Sequence, residues 1–138
     1  MYRQLKKFFI FTFIIINFQT FSLSDDISQI ELDGMSLNDS LLNFTSKNEI
    51  TIVPATLGNN ISVGTATGDG LTISQTTFNK MQAPNLVIGG AGYNGTITVE
   101  NLNSTNSGQL TLIANGTGGA IDVTNLNLSN AGLLIAGS

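Results

Sequence analysis

The sequence predicts an all-β fold, a β-solenoid of stacked parallel strands with about 24 residues per rung and three to four rungs. Three observations predict it. Residues 85–108 and 109–132 match at an offset of 24. The shared positions are Leu86/Leu110, Gly92/Gly116, Gly95/Gly119, Ile97/Ile121, Val99/Val123, Asn101/Asn125, Leu102/Leu126, Asn103/Asn127, Asn106/Asn130 and Gly108/Gly132. A period in this range marks repeat architectures. Apolar residues alternate with polar ones, as in Gly95-Thr96-Ile97-Thr98-Val99, which is the pattern of a strand buried on one side. The connections are short and rich in glycine, too short for the crossover helices that parallel βαβ units need. Stacking the copies places Leu86 over Leu110 and Ile97 over Ile121. One copy buries too little apolar surface to offset its chain entropy, whereas several stacked copies share a continuous core.

The chain has 138 residues, and its N-terminus differs in kind from the rest. Arg3, Lys6 and Lys7 precede an apolar run from Phe8 to Phe18, and small residues follow at Thr20, Ser22 and Ser24. This order reads as a signal peptide over residues 1–24, cleaved after Ser22 or Ser24. The run falls short of the ~20 apolar residues that a membrane-spanning helix needs, so no membrane span is expected in the mature chain. From Asp25 onward the cations are Lys47 and Lys80 against nine acids, a net charge of about −7. Such a surface cannot neutralise phosphates, which excludes nucleic acid as a partner. Cysteine is absent, so stacking and backbone hydrogen bonds must do what disulfides do in many secreted domains.

Residues 25–49 read as an N-terminal cap region. Leu37, Leu41 and Leu42 fit either a short amphipathic helix or a short strand, and so few residues do not separate the two. Residues 50–138 carry the repeats. Ile50-Thr51-Ile52-Val53 is a strand stopped by Pro54, and Ile61-Ser62-Val63 and Leu71-Thr72-Ile73 are further strands between glycine and asparagine turns. They align as a loosened earlier copy, Asn60–Gly64 on Asn85–Gly89 and Leu71–Ile73 on Ile97–Val99. The longer connection after them carries Phe78 and Met81, which are expected to fold back on the core. Leu133 to Gly137 begins another copy, its register open by one residue, and the repeat region reads as truncated mid-rung.

The repeated asparagines have two readings, a hydrogen-bonded amide ladder along the stack or tolerance of turn geometry. Gly95/Gly119 and Gly108/Gly132 read as turns needing positive φ.

No catalytic, cofactor-binding or metal-binding residue is assigned. Without histidine or cysteine, Ser/His/Asp and Cys/His arrangements and the usual zinc sites are excluded. Asp69, Glu100 and Asp122 occupy different copies or positions, unlike the clustered carboxylates of carbohydrate-active β-helices. Gly89 to Asn94 resembles the start of a calcium-binding nonapeptide, but Asn94 stands where the site needs a carboxylate.

Ala83-Pro84-Asn85-Leu86-Val87-Ile88-Gly89 and Gly95-Thr96-Ile97-Thr98-Val99 resemble repeats of filamentous-haemagglutinin-like bacterial surface proteins. The resemblance runs from Ile50 onward. It implies a right-handed parallel β-helix, secreted or at the cell surface, acting in adhesion or as a filamentous stalk. The expected function is that of a non-catalytic adhesin fragment whose partner is a ligand on a host or neighbouring cell. The second expectation is a self-assembling surface-layer element that associates end to end.

Overall fold

The computed structural model describes residues 21–23, 29–32, 36–37, 42–45, 48–105, 108–129 and 132–137. It is mostly strand, arranged in parallel sheets, with one short helix. The strands are β1 (Phe21–Leu23), β2 (Gln29–Leu32), β3 (Ser36–Leu37), β4 (Leu42–Thr45), β5 (Glu49–Pro54), β6 (Ile61–Gly64) and β7 (Leu71–Ser74). Helix α1 (Gln75–Asn79) follows, then β8 (Met81–Gln82), β9 (Asn85–Gly90), β10 (Thr96–Ser104), β11 (Gln109–Ala114), β12 (Ala120–Leu128) and β13 (Leu133–Gly137). One five-stranded sheet has the order β12-β10-β6-β7-β3, a second has β13-β11-β9-β5-β2, and a three-stranded sheet has β1-β4-β8. Every pairing between them is parallel.

The two best copies pair in the expected register. Leu86 faces Leu110 in the second sheet, and Ile97 faces Ile121 in the first. The next copy is one residue shorter, because Leu110 faces Leu133. Alternation decides which side chains meet. Ile50, Ile52, Ile61, Val63, Ile88, Ile97 and Val99 are fully buried between the sheets, while Thr98 is half-buried and Asp122 exposed on the outer side.

The loosened copy is arranged differently from its sequence alignment. β6 lies beside β10, with Ile61 facing Ile97, and it is β5 that lies beside β9, with Ile50 facing Leu86. β7 is an extra strand between β6 and β3. The connection from Thr65 to Gly70 runs back across the outer face so that β7 starts level with β6. The Leu71 amide donates to the Asn60 carbonyl at 2.9 Å, and Leu71 faces Ile61. Ala66 of this connection is buried, and a Cβ on Gly68 would stand 3.1 Å from Ser62 Oγ. Ile61-Ser62-Val63 and Leu71-Thr72-Ile73 share one alternating pattern, so side-chain pattern alone does not choose their neighbours.

The connection after β7 is a helical turn. Ser74 caps it, its Oγ accepting from the Thr77 amide at 3.2 Å. The turn delivers Phe78, and β8 delivers Met81, into the core as expected. Of the two readings for residues 36–45, strand is found at Ser36–Leu37 and Leu42–Thr45. Leu41 and the apolar run Phe8–Phe18 lie outside the described residues. β1 covers the residues around the cleavage position at Ser22.

The repeated glycines have another reason than the expected one. Positive φ occurs at Gly64, Gly70, Gly89, Gly92 and Gly118, and not at Gly95, Gly108, Gly119 or Gly132. Close packing holds three of them, and a Cβ on Gly119 would stand 2.5 Å from the Ala114 carbonyl oxygen. A Cβ on Gly95 would stand 2.6 Å from Tyr93 Oη, and one on Gly108 would overlap the Ala83 carbonyl and lie 2.8 Å from that of Pro84.

Candidate interaction surfaces

The left-handed positions that do repeat are asparagines. Asn101 and Asn125 have φ values of 46 and 54 degrees, a region that asparagine enters more readily than other side-chain-bearing residues. Each bends its strand. Pairing of β10 with β12 skips these two residues and resumes at Leu102 and Leu126. Both readings of the asparagines therefore hold at this pair. Asn125 Nδ2 donates to Asn101 Oδ1 at 2.9 Å, and Asn101 Nδ2 donates to Thr65 Oγ1 at 2.9 Å. The ladder runs across the bends of β12 and β10 to Thr65, just after β6, on the exposed corner. Asn103 and Asn127 face each other in register, while Asn106 and Asn130 lie outside the described residues.

Beyond the bend, β10 needs a partner on its other side. Gln75 supplies one from α1. Its Nε2 donates to the Asn103 carbonyl and its Oε1 accepts from the Asn103 amide, both at 2.7 Å. A side-chain amide here completes the ladder as a strand peptide would. Asn79 Oδ1 extends the pattern by accepting from the Thr105 amide at 3.3 Å.

A second polar row crosses the outer face of the other sheet. Glu49 accepts from Asn85 Nδ2 at 2.6 Å and from Thr51 Oγ1 at 2.9 Å. Thr111 Oγ1 then donates to Asn85 Oδ1 at 3.2 Å. The row ties β5, β9 and β11 together and occupies both oxygens of the carboxylate. Beside it a shallow groove of about 450 Å³ runs between Thr51–Leu57 and Gly89–Ala91. Its lining carries no ionisable side chain.

Among the described residues Tyr93 is the largest fully buried side chain, filling the corner between β9 and β10. Its hydroxyl donates to the Asn59 carbonyl at 2.7 Å, with the Thr96 carbonyl at 3.2 Å. Burial pushes its pKa up to about 12, with the Ile61 backbone acting weakly against this. The sequence reading did not single out Tyr93. Its signal was the pairing with Gly95, whose missing side chain makes room for the ring. In the next copy the corner carries Thr117, which is exposed.

Glu100 and Asp122 stand on neighbouring strands, two register positions apart. Asp69 is exposed on the β6–β7 connection, and Glu100 and Asp122 lie on the outer face, their register partners being Thr124 and Thr98. Asn94, at the calcium-like position, is exposed, while its neighbour Tyr93 is turned inward. Among the described residues no helix is long and apolar enough to cross a membrane, and no group of acidic residues is placed to hold a metal ion.

β12 and β13 are the outermost strands of the two large sheets at one end. Leu133, Leu134 and Ile135 are 42%, 50% and 49% exposed, whereas Leu110 and Leu112, which face Leu133 and Ile135, are 2% and 0% exposed.

No family model, curated protein or solved structure matches the chain.

Proposed function

We propose that the three parallel sheets are faces of a right-handed parallel β-helix, and that the protein is a non-catalytic, secreted or cell-surface attachment module of adhesin type. The observation that carries this reading is the register. Residues 85–108 and 109–132 pair in parallel at one constant offset in both large sheets. The chain visits the second sheet at β9, the first at β10, and then repeats the circuit one strand further along. A coil gives such a path with short connections. Its outer wall is polar and acidic, carrying Thr96, Thr98, Glu100 and Asp122 along the strands and Asn101 and Asn125 at the corner. A rigid wall of this kind suits contact with a surface ligand on a host or neighbouring cell.

The test is made on intact cells. The protein should be digested by added protease, should begin near Asp25 when its N-terminus is sequenced, and should lower attachment to a second cell layer when deleted. Retention inside the cell with residues 1–24 still attached, or unchanged attachment after deletion, would remove the reading.

A further inference from the structure

We infer that Asn94 is a site of spontaneous covalent modification in the folded protein, closing on the Gly95 nitrogen to a succinimide that water opens to aspartate or isoaspartate, and that the fold shields the chemically matching Asn115. The inference does not depend on the attachment role.

The sequence sets the two sites equal. Asn-Gly occurs twice, each time as Asn-Gly-Thr, at Asn94-Gly95-Thr96 and Asn115-Gly116-Thr117. A following glycine makes asparagine labile, because no Cβ obstructs the approach of its backbone nitrogen to the side-chain carbon. That nitrogen bonds to the asparagine Cγ and gives its proton to water, while the side-chain nitrogen takes up a proton and leaves as ammonia. One water then opens the ring. Attack at one carbonyl gives aspartate, and attack at the other gives isoaspartate, whose main chain is longer by a carbon.

The structure makes them unequal. Asn94 lies between β9 and β10, Asn115 between β11 and β12, and both are exposed. At Asn115 both reacting groups are held. Its Oδ1 accepts from the Gly92 amide at 2.9 Å, and the attacking nitrogen, that of Gly116, donates to the Tyr93 carbonyl at 2.8 Å. The Gly119 amide closes the same turn on the Gly116 carbonyl at 2.8 Å. At Asn94 the carboxamide has no hydrogen-bond partner among the described residues. Its Oδ1 lies over Gly58, 3.7 Å from where a Cβ there would stand. The attacking nitrogen, that of Gly95, donates to the Leu57 carbonyl at 3.1 Å, an acceptor shared with the Asn94 amide at 3.2 Å. Leu57 is 46% exposed on the connection from β5 to β6. A longer, shared bond to an exposed connection opens more readily than a short one between packed corners. The succinimide lacks the Gly95 N–H, and isoaspartate returns it displaced by a main-chain carbon. Conversion therefore loosens the tie between the β5–β6 connection and this corner.

The experiment ages the purified full chain in mildly alkaline buffer and maps its peptides by mass spectrometry over time. Conversion shows as the small mass gain of an amide nitrogen replaced by oxygen, and isoaspartate as a separately eluting peptide of the same mass as the aspartate form. In the folded protein the Asn94 peptide should convert about five times faster than the Asn115 peptide or more, the factor that one net hydrogen bond is worth. In urea the shared Asn-Gly-Thr sequence acts without the fold, and the two rates should come together. Asn94 is exposed and has no positive φ, so Asn94→Gln keeps the fold, which circular dichroism checks. Its larger ring closes far more slowly, and conversion at that peptide should disappear. Equal rates in the folded protein, a faster Asn115, or an Asn94 that converts in urea alone overturns the inference. So does a preference for Asn94 that survives undiminished in urea, which would trace it to the flanking residues instead of the fold.

Discussion

Replacing either ladder asparagine by aspartate tests the direction of the ladder at nearly constant shape. Aspartate accepts the left-handed conformation almost as readily as asparagine, so the bends at Asn101 and Asn125 are retained. Asn125→Asp removes the donor that reaches Asn101 Oδ1 across 2.9 Å and sets a carboxylate oxygen against an amide oxygen. A lost hydrogen bond costs about 0.5–1.5 kcal/mol net, and the repulsion adds to it, so a loss of about 1–2 kcal/mol is expected. Asn101→Asp keeps an acceptor for Asn125, and the Thr65 hydroxyl, now 2.9 Å from Asn101 Nδ2 and donating to the Glu100 carbonyl over a long 3.4 Å, can exchange that long bond for one to the new carboxylate. Its expected cost is within about 0.5 kcal/mol. Urea unfolding at neutral pH measures both, provided the denaturant slope is unchanged. Acid supplies an internal check. Facing a carbonyl, the introduced carboxyl of Asn125→Asp has a folded pKa above its unfolded value of about 3.9. Its favourable protonated form is present below that value and lost as pH rises through the folded one. The deficit of this variant should therefore shrink below about pH 4. Equal losses for the two aspartate variants would refute the stated direction.

Three other outcomes follow from the geometry. Tyr93→Phe should cost about 1 kcal/mol at neutral pH, the usual net worth of a hydrogen bond, since the hydroxyl donates to the Asn59 carbonyl at 2.7 Å. Because burial raises the folded pKa of Tyr93 to about 12, its contribution is whole below the unfolded value of about 10 and is lost as pH rises from there through about 12. Tyr93→Phe should therefore flatten the alkaline limb of the stability curve, and an unchanged limb would count against the buried hydroxyl. Gln75→Ala should speed hydrogen exchange at the Asn103 amide, which donates to Gln75 Oε1, while leaving Leu112 protected. Equal protection at Asn103 would show that the side chain does not complete the ladder. Gly90→Ala should be neutral or stabilising by up to about 1 kcal/mol, because its Cβ meets nothing within 4 Å. Gly108→Ala must displace the Ala83 and Pro84 backbone and should cost more than about 2 kcal/mol; thermal midpoints that rank the two the other way would contradict the packing described.

The sequence made the second half of the fold legible and left part of the first half hidden. Ile97/Ile121 and Leu86/Leu110 recur at one spacing with the same inward face, so their register follows from period and alternation together. The positions of β6 and β7 did not follow. Both strands offer an apolar-polar-apolar triplet ahead of a small residue, and either could have met β10. The choice is made by a returning connection whose course depends on Ala66 and Gly68 packing over Ser62. The asparagines were readable as special, but only coordinates show that left-handed backbone and amide ladder coexist at Asn101 and Asn125. Leu133 to Gly137 was visible as a further copy, whereas its spacing, one residue shorter, needed the pairing of Leu110 with Leu133.

The exchanged order of β6 and β7 has a mechanical consequence. Under tension along the chain, strands whose stacking order follows chain order peel away singly, as β13, β12, β11 and β10 would. A released copy of 24 residues lengthens the tether by roughly 80 Å at an extension of ~3.3–3.6 Å per residue. At β6 the sequence of release changes. β7 is reached first along the chain from the C-terminal side, yet it is clamped between β6 and β3, so it cannot leave alone without tearing two ladders at once. A pulling record should show near-regular small steps and then one higher rupture force at this point. Uniform forces throughout would mean that the returning connection between Thr65 and Gly70 yields before the strands do. In a molecule tethered at both ends, that crossed pair would act as a stop against further unravelling.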